Sequence, residues 1–257
     1  MDVLCLDLEG VLVPEVWQAV ARSTEIPELL KTTRDIPDYD DLMRYRLEIV
    51  AAHDITLSQI QAEIGKLEPL PGARAFLDWA RDHFQVAIIS DTFYDFAKPL
   101  MVQLGMPFLL CHKLVVENDR IVDYRLRQAD PKRHSVKAFK GLKLNVIASG
   151  DSFNDVSMLE EADRGIFFQA PANITAQFPQ YPVAPDYTQS RLILIGEFGK
   201  IIGHKNELLK SPQRDVKITR QAPRCRRLLP ASSSGYGREI RSPAHSFRLI
   251  LRGWRLA

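Results

Sequence analysis

An apolar run, Val3-Leu4-Cys5-Leu6, ends on two acids spaced two apart, Asp7 and Glu9, and Gly10 follows at once. A buried strand does not ordinarily carry such a pair, because an isolated carboxylate is costly to bury without compensation. A cation is the usual compensation. Side chains alternate along a strand, so Asp7 and Glu9 start on the same side of the backbone. Gly10 then lets the chain turn sharply away. Carboxylates at the carboxyl end of a first parallel strand are oxygen ligands of the kind a hard ion such as magnesium takes. Taken alone, the segment also fits a strand that ends in a polar turn.

Three later segments decide between these readings. Val86-Ala87-Ile88-Ile89-Ser90 is a second buried-strand pattern, ending in a hydroxyl and followed by Asp91-Thr92. Asp130-Pro131-Lys132-Arg133 sets a lysine before a helical stretch. Asn145-Val146-Ile147-Ala148-Ser149 is a third strand that runs into Gly150-Asp151 and then Asn154-Asp155. Strand patterns alternating with helical ones predict an α/β fold: a Rossmann-like, mostly parallel sheet with helices on both faces. Ligands bind beyond the carboxyl ends of such strands, and all four segments fall there.

Strands are expected near residues 2–8, 85–90, 107–111, 145–148 and 165–168, with helices at 73–81, 94–104, 135–140 and 155–162. Residues 113–127 read as a hairpin turning at Asn118-Asp119. Between the first two strands the pattern is helical, with Leu42, Met43, Leu47, Ile49 and Val50, then Ile55, Leu57, Ile60 and Ile64, at near-helical spacing. Glu68-Pro69-Leu70-Pro71-Gly72 closes this block. The expected division is a catalytic core from 1–13 and 72–190, a small helical cap from 14–71, a C-terminal helix at 191–210 and a basic tail at 211–257. A cap of this kind excludes bulk water and carries residues that read the substrate.

At 257 residues and 46% hydrophobic, the chain can bury one substantial core. No apolar run reaches the length of a membrane span, and the start lacks a signal-peptide pattern. Cys5, Cys111 and Cys225 are odd in number, widely spread and without metal-ligand spacing, so reduced thiols and a cytoplasmic location are expected. The six histidines show no ligand spacing and read as surface or packing residues. Charge is uneven. Residues 211–257 hold ten arginines and Lys217 against Asp215 and Glu239, a net +9, which leaves −7 for the remainder of a chain of net +2. With Pro212, Pro223, Pro230 and Pro243 and the Ser232-Ser233-Ser234-Gly235 stretch, this tail is expected to be disordered.

The acid pair, serine, lysine and Gly-Asp-x-x-Asn-Asp segments, in that order, resemble the four motifs of the haloacid dehalogenase-like phosphatase superfamily. Glu9 and Val11 depart from its usual Asp-x-Asp-x-Thr opening. Together with Thr33-Arg34-Asp35-Ile36-Pro37-Asp38-Tyr39-Asp40, Ser90-Asp91-Thr92-Phe93-Tyr94 and Leu110-Cys111-His112-Lys113-Leu114, they resemble one bacterial subgroup. Its members are phosphoserine phosphatases that also act as phosphoserine:homoserine phosphotransferases. The resemblance runs to about residue 190 and stops there.

The resemblance implies a magnesium-dependent reaction through an aspartyl-phosphate. Asp7 is the expected nucleophile and Glu9 the general acid and then base. Magnesium ligands are expected from Asp7, Asp151 and the main-chain carbonyl of Glu9. Asp155 is expected to hold a metal-bound water, or else to cap a helix. Ser90, with amides of Asp91 or Thr92, would donate to the phosphate. Lys132 would hold it, with Arg133 and Lys137 as rivals, and Asn154 would donate to the substrate or orient Lys132. Glu15 would pair with the ammonium of phosphoserine and Arg46 with its carboxylate, with Arg44 as rival. Homoserine is the expected second acceptor, and the assembly allowed for is a homodimer.

Two other readings compete. One is a phosphatase for another small phosphomonoester. The other is binding of nucleic acid or another acidic surface by the basic tail. The tail lacks an aromatic stacking array or a recognisable DNA-binding motif. An unstructured extension, or a translated change of reading frame, is the favoured account of it.

Overall fold

The computed structural model describes residues 2–32, 35–36 and 38–202, with 197–202 as main chain only. In chain order the elements are β1 (Asp2–Leu6), α1 (Val16–Thr24), α2 (Tyr39–Ala52), α3 (Leu57–Ile64), α4 (Ala73–His83), β2 (Gln85–Phe93), α5 (Tyr94–Gln103), β3 (Phe108–Glu117) and β4 (Arg120–Arg125). There follow α6 (Pro131–Gly141), β5 (Asn145–Gly150), α7 (Val156–Glu161), β6 (Arg164–Phe168), α8 (Ala172–Thr175), β7 (Val183–Ala184) and α9 (Tyr187–Ile202). Short 3-10 turns lie at Pro27–Leu30 and Phe153–Asp155.

The described strands form one sheet in the order β4-β3-β2-β1-β5-β6-β7. Its pairs are parallel except for the antiparallel β3–β4 hairpin. The acid-bearing β1 is therefore central, with Leu6 opposite Ile88 on one side and Ser149 on the other. That register brings the ends of three motif strands side by side.

Alternation along β1 sends Leu4 and Leu6 into one core and Val3 and Cys5 into another. The first core holds Phe76 and Leu77 of α4 and Phe96 and Leu100 of α5. The second holds Val136 of α6 and Met158 and Leu159 of α7. Helices thus cover both faces, as expected for a Rossmann-like sheet. Leu4 and Leu6 are wholly buried, and each contributes about 2 kcal/mol from apolar area removed from water. Burial pushes the Cys5 thiol up to about 12, so it behaves as a small apolar core residue.

The smaller helical elements α1, α2 and α3, inserted between β1 and β2, form a cap. α3 starts with a capping box between Thr56 and Gln59. Trp17 of α1 packs edge-on against Phe96 of α5, with ring centroids 5.5 Å apart. Gln61 donates to the Asp95 carbonyl at 2.8 Å. The β3–β4 hairpin turns on Asn118 and Asp119, both at positive φ, as a two-residue turn of this hand requires. Asp119 then fastens the start of α3. Its carbonyl accepts the Leu57 amide at 2.9 Å, and its carboxylate accepts the Ser58 amide and hydroxyl at 3.0 and 2.9 Å.

Several boundaries differ from those expected. β2 runs through Ser90 to Phe93, because the chain stays extended where Phe93 pairs with His112. The strand expected at 107–111 and the first arm of the hairpin are one strand, β3. α6 begins at Pro131, where a missing amide costs nothing. Lys132 is therefore in its first turn rather than ahead of the helix. α8 and β7 were not foreseen. α9 crosses the expected boundary at 190. Among the described residues no helix is long and apolar enough to cross a membrane. The tail expected at 211–257, with Cys225, lies outside the described residues, as do 203–210 of the expected C-terminal helix.

Candidate active site

Lys132 is the centre of the site. It is 1% exposed, and its ammonium lies 2.5 Å from Asp155, 3.2 Å from Asp7 and 3.3 Å from Asp91. Burial alone would discharge it, but Asp155, Asp7 and Asp91 hold its pKa well above the ordinary value. The rival cations are elsewhere. Arg133 pairs with Asp130 and Glu160 at the surface, and Lys137 is exposed. The helical turn that points residue 132 inward points 133 and 137 away.

One ammonium does not balance the carboxylates around it. Asp7, Asp151 and Asp155 each offer an oxygen within 4.8 Å of the others. Burial, then Asp155, push Asp7 well above the carboxylate range against the pull of Lys132. Burial, Asp155 and Glu15 push Asp151 up to about 7. Both oxygens of Asp155 are engaged: one by Lys132, the other by the amides of Asp151 and Ser152 at 2.9 and 3.0 Å. Asp155 so joins the lysine to the turn after β5, in a capping box with Ser152. The donor set fits a hard divalent cation, with oxygen ligands only and a deficit of positive charge.

Two glycines make this approach sterically allowed. Gly10 has φ +79°, and a Cβ there would lie 2.5 Å from an Asp151 carboxylate oxygen. A Cβ on Gly150 would lie 2.2 Å from the Asp155 carboxyl carbon. The room at Gly150 seats Asp155.

Glu9 turns away from Asp7 toward the cap. Its carboxylate accepts the Val16 amide at 2.8 Å, at the start of α1. Burial and the nearby Glu15 push it up to about 7, while the Val16 amide, the Thr92 hydroxyl and Arg46 pull the other way. A carboxyl with that pKa can give and take a proton near neutrality. Arg46, on α2, is 8% exposed. It donates to the Lys31 carbonyl at 2.8 Å and lies over the Trp17 ring, 4.9 Å from its centroid. Its Nε is buried with no hydrogen-bond partner. The rival Arg44 is exposed and paired with Asp40. Glu15, itself exposed, acts on Glu9, Asp151 and Arg46. Two neighbourhoods therefore adjoin: one around Lys132 beyond the sheet, the other lined by Glu9 and Arg46 under the cap.

Residues 1–163 match the family of haloacid dehalogenase-like hydrolases. The chain belongs to that family. It is 57% identical over 190 residues to the phosphoserine phosphatase of Pseudomonas syringae pv. tomato, an alignment covering 74% of this chain and 80% of the relative. It is 58% identical over 188 residues to the phosphoserine phosphatase ThrH of Pseudomonas aeruginosa, covering 73% and 92%. Among solved structures, a substrate-bound phosphoserine phosphatase aligns with a TM-score of 0.63 at 20% identity, covering 75% of this chain and 96% of that one. At that identity the likeness speaks for the fold.

In this haloacid dehalogenase-like hydrolase, the residues expected at the site mostly converge, and some do so by routes not foreseen. Ser90 is buried, and its Oγ accepts the Thr92 amide at 3.3 Å. Asp91, expected to offer only its amide, also brings its carboxylate to Lys132. Burial would raise Asp91, but Lys132, His112 and Asn154 hold it below the usual carboxylate range. Asn154 does not touch Lys132 but reaches it through this carboxylate, to which it donates at 2.7 Å. His112 is a packing residue, 1% exposed, and it also brings Nε2 to 3.7 Å from Asp91. Tyr39 donates to the Asp91 carbonyl at 2.6 Å. His112 and Tyr39 carry no periodicity or motif spacing that marks chemistry. Their place in the subgroup's segments was the one available signal.

Proposed function

We propose that this protein is a phosphoserine phosphatase that works through an aspartyl-phosphate on Asp7 and also passes the phosphoryl group to homoserine. The observation that supports this best is the convergence of Asp7 and Asp151 beside a buried lysine that the surrounding acids hold charged. The identity to two Pseudomonas phosphoserine phosphatases supports the substrate. Asp7, Asp151 and the main-chain carbonyl of Glu9 would hold magnesium. The ion's chemistry would be to neutralise charge on the phosphate oxygens and so expose phosphorus to an anionic nucleophile.

The protein's own residues do the rest. Lys132 and the Ser90 hydroxyl hold the phosphate against Asp7. An Asp7 oxygen forms a bond to phosphorus as the bond from phosphorus to the serine oxygen breaks. Glu9 gives its proton to that leaving oxygen. In the second half Glu9 takes a proton from the incoming hydroxyl, whose oxygen attacks phosphorus and frees Asp7. Water yields phosphate, and the homoserine hydroxyl yields phosphohomoserine. Arg46, buried with an unused donor, takes the substrate carboxylate, and Glu15 at the rim takes the ammonium. Asp155 keeps Lys132 in place. The basic-tail alternative depends on residues outside those described. Buried reduced thiols at Cys5 and Cys111 support a cytoplasmic setting.

The test is product analysis with phosphoserine and magnesium, with and without homoserine, on wild type and Asp7→Asn. Turnover that needs Asp7, and phosphohomoserine formed at the expense of phosphate, are the expected results. No phosphohomoserine would remove the transferase activity, and turnover intact in Asp7→Asn would remove the covalent route.

A further inference from the structure

The reaction gives no task to two segments that mark the sequence, 33–40 and 110–114. Their residues Tyr39 and His112 meet at Asp91. Tyr39, the first residue of α2, gives its hydroxyl to the Asp91 carbonyl at 2.6 Å. That carbonyl and the Thr92 N–H belong to one planar peptide unit. The Thr92 N–H is in turn given to Ser90 Oγ at 3.3 Å. The cap thus holds one edge of a peptide plane whose other edge orients the Ser90 hydroxyl. Because that oxygen already accepts, its own proton is directed elsewhere.

The side chain of the same residue is held from the other direction. The Asp91 carboxylate receives Asn154 at 2.7 Å and Lys132 at 3.3 Å, and faces His112 Nε2 at 3.7 Å. His112 Nδ1 accepts the Arg127 amide at 3.2 Å. The ring proton is thereby fixed on Nε2, toward Asp91. The imidazole is wedged between Tyr39 and Phe93, with centroids 6.2 and 6.1 Å away. One residue of β2 therefore ties a cap tyrosine to the serine through its main chain, and a core histidine to the lysine through its side chain.

We propose that Tyr39 and His112 are positioning residues that act through Asp91, Tyr39 on Ser90 and His112 on Lys132. In consequence the phosphate-holding pair is complete only when α2 of the cap is seated on β2. This rests on the reading that Ser90 and Lys132 hold phosphate. It does not depend on which ester is the substrate.

Calorimetric titration of the magnesium-loaded protein with inorganic phosphate tests it, since phosphate has no amino-acid end for the cap to read. Tyr39→Phe keeps the ring and removes the hydroxyl. It is expected to weaken phosphate about fivefold, the worth of one ordinary hydrogen bond, and to add nothing in a Ser90→Ala background. His112→Gln is expected to weaken phosphate to a similar degree and to add nothing in an Asp91→Asn background. Near-UV circular dichroism of each variant at the titration temperature supplies the fold check. An effect of Tyr39→Phe confined to KM for phosphoserine, with phosphate affinity unchanged, would make Tyr39 a substrate-reading residue and overturn the proposal. So would equal effects with and without Ser90, or loss of the native dichroism in both single variants. Intact phosphate coupling without phosphoserine turnover would sink the substrate reading and leave this one standing.

Discussion

Lys132 and Arg46 are both buried cations, and their surroundings are opposite. Lys132 has three carboxylates at salt-bridge distance. Arg46 has a carbonyl, a thioether 3.9 Å away and an aromatic face, with one nitrogen left without a partner. Burial lowers the pKa of Arg46, while the acids around Lys132 raise its pKa. The lysine is satisfied by the protein itself and belongs to the folded scaffold as much as to the chemistry. The arginine carries a desolvation cost that an incoming anion would relieve. A binding site built this way favours a ligand with a carboxylate over one without, because only the former supplies the missing partner.

The largest effect that bears on this contrast is at Asp7, the acid Lys132 guards. Asp7→Asn should lower phosphoserine turnover about a thousandfold or more while leaving Lys132 two other partners. A smaller loss, measured by phosphate release, would mean the attacking group lies elsewhere. Next is Lys132→Met. It leaves buried carboxylates facing one another, and urea unfolding should report about 4 kcal/mol less stability. Arg46→Met sharpens the contrast by doing the reverse. It should stay within about 1 kcal/mol of wild type, yet raise KM for phosphoserine about a hundredfold through loss of a charge-assisted contact. Equal destabilisation by the two substitutions would abolish the distinction.

The smallest expected effect is on pH dependence. Glu9 and Asp151 both titrate near 7 in the folded chain, above their ordinary 4.5 and 3.8. Between those values the folded form binds more protons than the unfolded form, so stability falls as pH rises toward 7. The metal-free protein should therefore melt about 5 °C lower at pH 8 than at pH 5, and magnesium should narrow the gap by compensating Asp151. A melting temperature that rises over this range without metal would show that the acids are compensated already.

Much of this was legible because burial leaves a plain mark. The strands that lead to Asp7, Ser90 and Asp151 are apolar runs cut short by polar residues, and the acid pair after β1 is costly to bury without a cation. The cap helices were legible from 3.6-residue spacing. What the pattern did not reach was local. Spacing alone does not separate Lys132 from Arg133 and Lys137; the resemblance did, and the rotation of α6 shows why. The polar pair Asp91-Thr92 looks like the end of a strand, but β2 continues because β3 pairs with it as far as Phe93. β7 is two residues long and has no period to detect. Tyr39 and His112 act across 52 and 21 residues of sequence from Asp91, the separations of a contact that exists only once the sheet and cap are assembled.

Hairpin tips are ordinarily the safest places to graft a tag or an epitope. The turn at Asn118 and Asp119 is not one of them, since Asp119 is bonded to the first residues of α3. An insertion there would unfasten the cap at its outer end and would be felt along β3, the same strand that carries His112. Reporter fusions to this enzyme belong on some other loop.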